Sequence, residues 1–379
     1  MELSKKKLLA ALTVAVVLSG VTACSSTRSD TAATTGTSAA SSAAAGGLVG
    51  IAMPTRSLQR WNNDGAHLDE LLKKQGYQTS LQFADDKVEQ QITQIENLVN
   101  QNVKVLVVAA IDGTALGPVL EKAAAKNIKI IAYDRLINGT KNVDYYATFD
   151  NYQVGKLQGE FIVKQTGLDQ GKGPFNMEPF AGSPDDNNAK FFFAGAWDVL
   201  SPYVKSGKIV VPSKKAPATN DGWKSIGVPG WKSAASQSEM DNRLNSFYAG
   251  GKKVNIVMSP NDSLALGIEQ SLESKGYKPG ADYPVITGQD CDKANTKNIL
   301  AGKQSMCVFK DTRTLGDQVA KMVDQIIKGE TVETNDTKTY NNGVKVVPSF
   351  LLPPNVVTKA EVKTALVDSG YYTAGDIGL

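Results

Sequence analysis

The chain carries one histidine, His67, and three cysteines among its 379 residues. A single imidazole excludes the His clusters that hold zinc and leaves a Ser-His-Asp triad without support. His67 is read as a structural or surface residue. No G-x-S-x-G nucleophile elbow occurs. The first apolar run is followed by MPTRSLQRW, not by a G-x-G-x-x-G turn. GLDQGKG, near Lys172, lacks the spacing of a phosphate loop, and SPDDNN lacks the twelve-residue frame of a calcium loop. Charge of one sign is also missing. The 41 basic and 38 acidic residues give a formal charge of +3, which shrinks once Lys5, Lys6, Lys7 and Glu2 are set aside. That balance offers nothing to nucleic acid or to an anionic membrane surface. No metal and no cofactor is expected.

The N-terminus shows what is present. Lys5-Lys6-Lys7 precede LLAALTVAVVLSG and then Val21-Thr22-Ala23-Cys24. This is the charged and apolar pattern of a secretion signal, too short for a spanning helix. VTAC resembles the bacterial lipobox, in which the cysteine is acylated and becomes the new N-terminus. Residues 1–23 are therefore expected to be a signal peptide and Cys24 a lipidation site. The Ser/Thr/Ala-rich stretch 24–47 lacks the apolar content to fold and reads as a tether. An exported chain permits a disulfide between Cys291 and Cys307. Strand spacing speaks against it: Cys307 lies three residues before Lys310, so the two would be offset by roughly 10 Å along the strands. The pairing is left open.

Beyond the tether, strand-like and helix-like patterns alternate, which implies parallel sheets with right-handed crossovers. GLVGIAM, TSLQFA, VKVLVVAAI, IKIIAY and VDYYATF form one series. FNMEPF, KIVVP, VNIVMSP, YPVITG and SMCVF form a second. The chain is long enough for two cores, and two α/β lobes leave a cleft between them. Several strand runs end abruptly in polar residues: Asp112, Asp134-Arg135, Asn261-Asp262, Gln289-Asp290 and Lys310-Asp311. Ligands of open α/β sheets bind at the carboxyl ends of strands. Asp accepts hydrogen bonds, Arg and Lys donate them, and Asn does both, so the set suits a ring of hydroxyl groups. Each bond to a charged group contributes roughly 1.5–3 kcal/mol. A handful would support micromolar affinity, about −8 kcal/mol.

GIAMPT…RW, AAIDGT, IAYDRLI, KNVDYYATFDN, GSPDDNNA, TGQD, VFKDTR and NNGVKVVPSFLL together resemble the monosaccharide-binding receptors of bacterial ABC importers. The similarity runs from Leu48 to Tyr372. It points to the multiple-sugar-binding group, with the xylose-binding proteins nearby and in a lipid-anchored form. The resemblance implies an α/β fold of two doubly wound parallel-sheet lobes with three interlobe crossings, the periplasmic-binding-protein type I fold. The crossings are expected near Asn151, Asp311 and Tyr340. Residues 48–151 and 312–339 would then form the N-terminal lobe, and 152–311 and 340–379 the C-terminal lobe.

The resemblance also implies residue roles. Arg60 and Trp61 would contact and stack on the sugar. Asp134 and Arg135 would grip hydroxyls from the first lobe, and Asn188 would donate from the second. Trp231 would cover the opposite sugar face, with Trp223 as its rival. Asn261, Asp290 and Lys310 would complete the second half-site. Asp112 has two readings, a local cap or a sugar contact. Asp262 is assigned to capping the next helix. Gln289 is left out because strand alternation would turn it away from Asp290. The implied function is capture of an aldose such as xylose, glucose or galactose, by a monomer that closes its lobes and delivers the sugar to an ABC permease. The alternatives are a sugar receptor that signals to a membrane sensor kinase, a glycoside hydrolase built on two cleft carboxylates, and a repressor sensing domain. The last is opposed by the signal segment and by the absence of an N-terminal helix-turn-helix.

Overall fold

The computed structural model describes residues 46–280 and 283–379. The signal segment, Cys24 and the tether up to residue 45 lie outside the described residues. From Leu48 onward the elements are β1 (Leu48–Met53), α1 (Gln59–Lys74), β2 (Gln78–Phe83), α2 (Val88–Asn100), β3 (Val105–Val108), α3 (Gly117–Ala125), β4 (Lys129–Tyr133) and β5 (Tyr145–Phe149). Next come α4 (Asn151–Thr166), β6 (Phe175–Pro179), α5 (Asn187–Lys205), β7 (Ile209–Val210), α6 (Ser233–Phe247), β8 (Ile256–Met258), α7 (Asp262–Ser274), β9 (Val285–Ile286), α8 (Lys293–Ala301) and β10 (Cys307–Phe309). The chain closes with α9 (Thr312–Lys328), β11 (Ser349–Leu352), β12 (Asn355–Val357) and α10 (Ala374–Ile377).

The first lobe is built on a parallel sheet of order β11-β5-β4-β3-β1-β2. Its apolar runs are continuous because both faces are covered. Val105, Val107, Ile131 and Tyr133 pack with Trp61, Leu68 and Leu72 of α1 and with Leu315, Val319 and Met322 of α9. Leu106, Val108, Ile130 and Ala132 face the other way, against Leu98 and Val99 of α2 and Val119 and Leu120 of α3. Each fully buried side chain of this size contributes roughly 1.5–3 kcal/mol.

The second lobe has a parallel sheet of order β7-β6-β8-β9. A bridge from Gln289 to Val308 extends it to β10, and β12 pairs antiparallel with β10. Helices α4 and α5 touch backbone to backbone at Gly155 and Gly195, where any Cβ would strike the facing main chain. In both lobes the strand order reverses beside the first strand of the series, β1 in one and β6 in the other. These are the switch points at which a crevice opens outside the strand ends.

The chain passes between the lobes at Asp150, at Lys310-Asp311 and at Pro353-Pro354. Asp150 and Asp311 cap α4 and α9, accepting from Gln153 N and Arg313 N. The third passage corrects the expectation of a crossing near Tyr340. Residues Ser349–Leu352 hydrogen-bond along β5 in the first sheet, register Ser349↔Tyr146 to Leu352↔Phe149. Asn342 donates to Ile137 O and Thr140 O in the same lobe. Residues 340–352 therefore belong with the first lobe, and the chain rejoins the second at β12.

Cys291 and Cys307 form a disulfide with Cα atoms 5.4 Å apart. The strand-offset argument against it assumes that the chain continues straight past Gln289. It does not: Asp290 and Cys291 have φ of +91° and +52°. This left-handed turn folds Cys291 back alongside β10.

Candidate functional site

Nine side chains singled out in the sequence (Arg60, Trp61, Asp134, Arg135, Asn188, Trp231, Asn261, Asp290 and Lys310) line one cavity between the lobes. The space left in it for the centre of a water-sized sphere is about 30 Å³, so these side chains leave little free volume between the lobes. Leu58, Asp186, Phe192 and Gln289 complete its wall.

The first-lobe half is held by buried polar bonds. Arg60 and Trp61 sit in the first turn of α1, directly after the β1 crevice. Arg60 Nη2 donates to Asp64 Oδ1 at 3.1 Å and lies 3.2 Å from Asp134 Oδ1. Behind it, Tyr133 Oη donates to Asp64 Oδ1 at 2.6 Å. Asp134 leaves β4 with φ +58°, a left-handed conformation that aims its carboxylate into the cleft. Its carbonyl oxygen accepts from Tyr146 Oη, Thr148 Oγ1 and Asn188 Nδ2 at 2.7, 2.9 and 2.7 Å. Arg135 Nη1 donates to Ala110 O at 3.0 Å. The Arg60 and Arg135 guanidinium groups lie 4.3 and 5.1 Å from the Trp61 ring centre.

The second-lobe half is collected from separate segments. Asp186 caps α5, accepting from Asn188 N at 2.9 Å. Its other oxygen accepts from Trp231 Nε1 at 3.1 Å and lies 3.0 Å from Arg135 Nε across the cleft. Trp231, at φ +56°, presses its ring against Gly182, where a Cβ would collide with it. Lys310 ends β10 with its ammonium 3.1 Å from Asp290 Oδ1 and 5.5 Å from the Phe192 ring centre. Arg60 Nη1 reaches Asp290 from the other lobe at 3.7 Å. Gln59 closes the cleft further, donating to Tyr372 Oη at 3.0 Å and accepting from Lys293 N at 3.5 Å.

Four assignments change. Asp112 is not in the cavity; its Oδ1 accepts from Thr114 N and Oγ1, both at 2.7 Å, and it lines a separate groove with Trp223. Asn261, not Asp262, caps α7, accepting from Leu264 N at 3.1 Å, while its side chain still borders the cavity. Asp262 is fully buried and accepts from Asp292 N and Gln304 Nε2. Asn188 spends its amide largely on the other lobe: it donates to Asp134 O and accepts from Tyr146 Oη, and from Asn151 Nδ2 of its own lobe. Gln289 does line the cavity, because the left-handed Asp290 breaks strand alternation. Sequence reasoning missed Asp186 as well. Its signal was the second acid of DDNN, whose neighbour Asp185 is indistinguishable from it until the helix start is fixed.

Charge in the cavity is balanced, with Arg60, Arg135 and Lys310 against Asp134, Asp186 and Asp290. Burial alone would raise the Asp134 pKa, but Arg60, Lys310 and Arg135 together pull it below the usual carboxylate value. Burial prevails at Asp186 and raises it, against the pull of Arg135. Burial also works against the Arg60 cation, yet Asp134, Asp64 and Asp290 hold it firmly protonated. Trp61 Nε1 and Gln289 Oε1 are buried without a hydrogen-bond partner. Asp134 Oδ1, Asp290 Oδ1 and Arg135 Nε have ion contacts but no aligned hydrogen bond. Buried polar atoms left in this state cost about 1–3 kcal/mol each. A neutral polyol supplies the donors and acceptors they need, and indole rings cover apolar sugar faces.

Residues 49–331 match the family model described as a periplasmic binding protein domain. This chain belongs to the periplasmic binding protein family. Among binding proteins of this kind it is 52% identical, over 326 residues, to the multiple sugar-binding periplasmic protein SbpA of Azospirillum brasilense. The alignment covers 86% of this chain and 89% of SbpA. It is 50% identical to the multiple sugar-binding periplasmic receptor ChvE of Rhizobium radiobacter, over 87% of this chain and 92% of ChvE. The crystal structure of an ABC transporter solute-binding protein from Clostridium phytofermentans, with bound β-D-glucose, superposes with a TM-score of 0.83 at 49% identity. That match covers 87% of this chain and 99% of the solved one. The two-lobed binding-protein fold expected from the sequence is thereby established.

Proposed function

We propose that this protein is an extracytoplasmic receptor that captures an aldose such as glucose, xylose or galactose and delivers it to an ABC importer. The observation that carries the reading is the interlobe cavity. Buried, incompletely bonded donors and acceptors ring it together with two indoles, and its charges cancel. The names of SbpA and ChvE, and the glucose in the Clostridium protein, support the same ligand class. Asp134 and Arg135 grip hydroxyls from the first lobe. Asn261, Asp290 and Lys310 grip them from the second. Trp61 and Trp231 cover the ring faces, and Arg60 joins both lobes to the ligand.

The mechanism is binding and closure, with no covalent step. A ligand favours closure only through contacts that both lobes make at once, and Arg60, lying between Asp134 and Asp290, is placed for that. The lipobox-like VTAC supports anchoring of the receptor to the outer face of the cell membrane through Cys24. A thermal-shift panel of monosaccharides tests the function. A ligand at 100 times its Kd stabilises by about 2.7 kcal/mol. No shift with any aldose would defeat the reading.

A further inference from the structure

Cys291 and Cys307 are both fully buried, and each stands close in sequence to a cavity residue: Asp290 is adjacent to one, and Lys310 lies three positions after the other. The backbone between them is unusual. Up to Gln289 the chain runs parallel to β10, with Val308 N donating to Gly288 O at 2.9 Å and Asp290 N donating to Val308 O at 3.0 Å. Two successive non-glycine residues, Asp290 and Cys291, then take left-handed φ values. Such positions cost of order 1–3 kcal/mol each and persist only where the surroundings fix them. After the turn, Asp292 N donates to Asp262 Oδ2 and Thr296 Oγ1 donates to Cys291 O. The covalent link to β10 falls within the turn itself.

We infer that the Cys291–Cys307 disulfide is a positioning element of the sugar site: it fixes the left-handed turn that sets the Asp290 carboxylate against Lys310 and Arg60. The inference rests on the sugar-site reading above. Without the link, residue 290 is free to relax toward extended backbone, and strand alternation then carries its carboxylate away from Lys310. The carboxylate that joins the second lobe to Arg60 of the first is lost from the closed cavity. The cysteines touch no ligand, so they act through Asp290.

A competing role is purely structural. Cys291 and Cys307 also pack with Ile299, Phe309, Val357 and Leu366 in a small C-terminal core, and their loss could lower stability alone. A double-mutant cycle separates the two. Affinity for the best aldose of the panel is measured by calorimetry in four proteins: wild type, Cys291→Ala/Cys307→Ala, Asp290→Asn, and the triple variant. The expected result is a loss of about tenfold on removing the disulfide from the wild type, comparable with losing one charged hydrogen bond. In the Asp290→Asn background the same removal should cost less than about twofold. An equal loss in both backgrounds, or no loss in the first, overturns the inference. Should the alanine pair fail to fold, Cys291→Ser/Cys307→Val replaces it, because serine keeps the size of the thiol without easing the positive φ and valine suits the buried strand. Absence of binding by the wild type would instead overturn the sugar-site reading itself, so the two failures are distinguishable.

Discussion

The two lobes hold their halves of the site by different means. In the first, Asp134 and Arg135 follow β4, an inner strand of a six-stranded sheet, and Arg60 is braced by Asp64 and Tyr133. In the second, β8, β9 and β10, which precede Asn261, Asp290 and Lys310, are three, two and three residues long. The side chains come from the α5 cap, the Gly182–Trp231 contact, the α7 cap, the left-handed turn at Asp290 and the end of β10. One half-site inherits its geometry from a deep sheet; the other is assembled from local devices. The first should therefore fail mainly through lost charge, and the second through small changes of shape.

The largest effect is expected at Asp134, which faces three cations. Asp134→Asn should weaken aldose binding at least about 100-fold in calorimetry, since several charge-assisted bonds of about 1.5–3 kcal/mol weaken together. A loss below about tenfold would remove the first lobe's claim to be the anchor. Gly182→Ala adds one methyl and no charge, yet drives into the Trp231 ring. It should cost about tenfold in affinity, of the order of an aromatic contact plus packing, and should change the tryptophan fluorescence response to sugar. An unchanged response would show that Trp231 does not depend on this fit.

The smallest effect concerns pH, and it has opposite signs at Asp292 and at Asp134. Burial and the neighbouring Asp290 push Asp292 up to about 7, and burial raises Asp262 well above its ordinary value. Groups raised in this way contribute stability that is present below the unfolded value of 3.8 and lost as pH rises through about 7. Asp134 is depressed, so its contribution is lost only in acid, as pH falls below that value. Between pH 8 and pH 5 the melting temperature should therefore rise by a few degrees. Asp292→Asn should flatten the rise. A profile unaltered by that change would place its origin elsewhere, Glu269 being the next candidate because burial pushes it to about 8.

Much of this was legible in the sequence. Apolar runs such as VLVV and IIA read as strands because burial on both faces leaves no polar position in them. The polar residues that stop those runs fall at the cavity because strand ends at a switch point converge there. What escaped depended on single backbone torsions or on distant partners. Gln289 and the disulfide both turn on the positive φ of Asp290, which no propensity assigns to aspartate followed by cysteine. Asp186 was hidden because its partners, Arg135 and Trp231, lie 51 and 45 positions away in sequence. A third crossing near Tyr340 rests on the resemblance alone; in the structure Tyr340 packs against Tyr146 of one lobe and Phe191 of the other, and the chain crosses only after β11.

That crossing has a mechanical consequence. Of the three strands of chain that join the lobes, two are single aspartates at the threshold of a helix, with nearly equal torsions: φ −68°, ψ 92° at Asp150 and φ −69°, ψ 97° at Asp311. The third is Pro353-Pro354, where both rings lock φ and no N–H is available. Two compliant pivots and one stiff strut do not permit free tumbling of one half against the other. If the lobes swing, such a set of links would favour an axis through the aspartates, as a door with two pins and a stay travels along one arc.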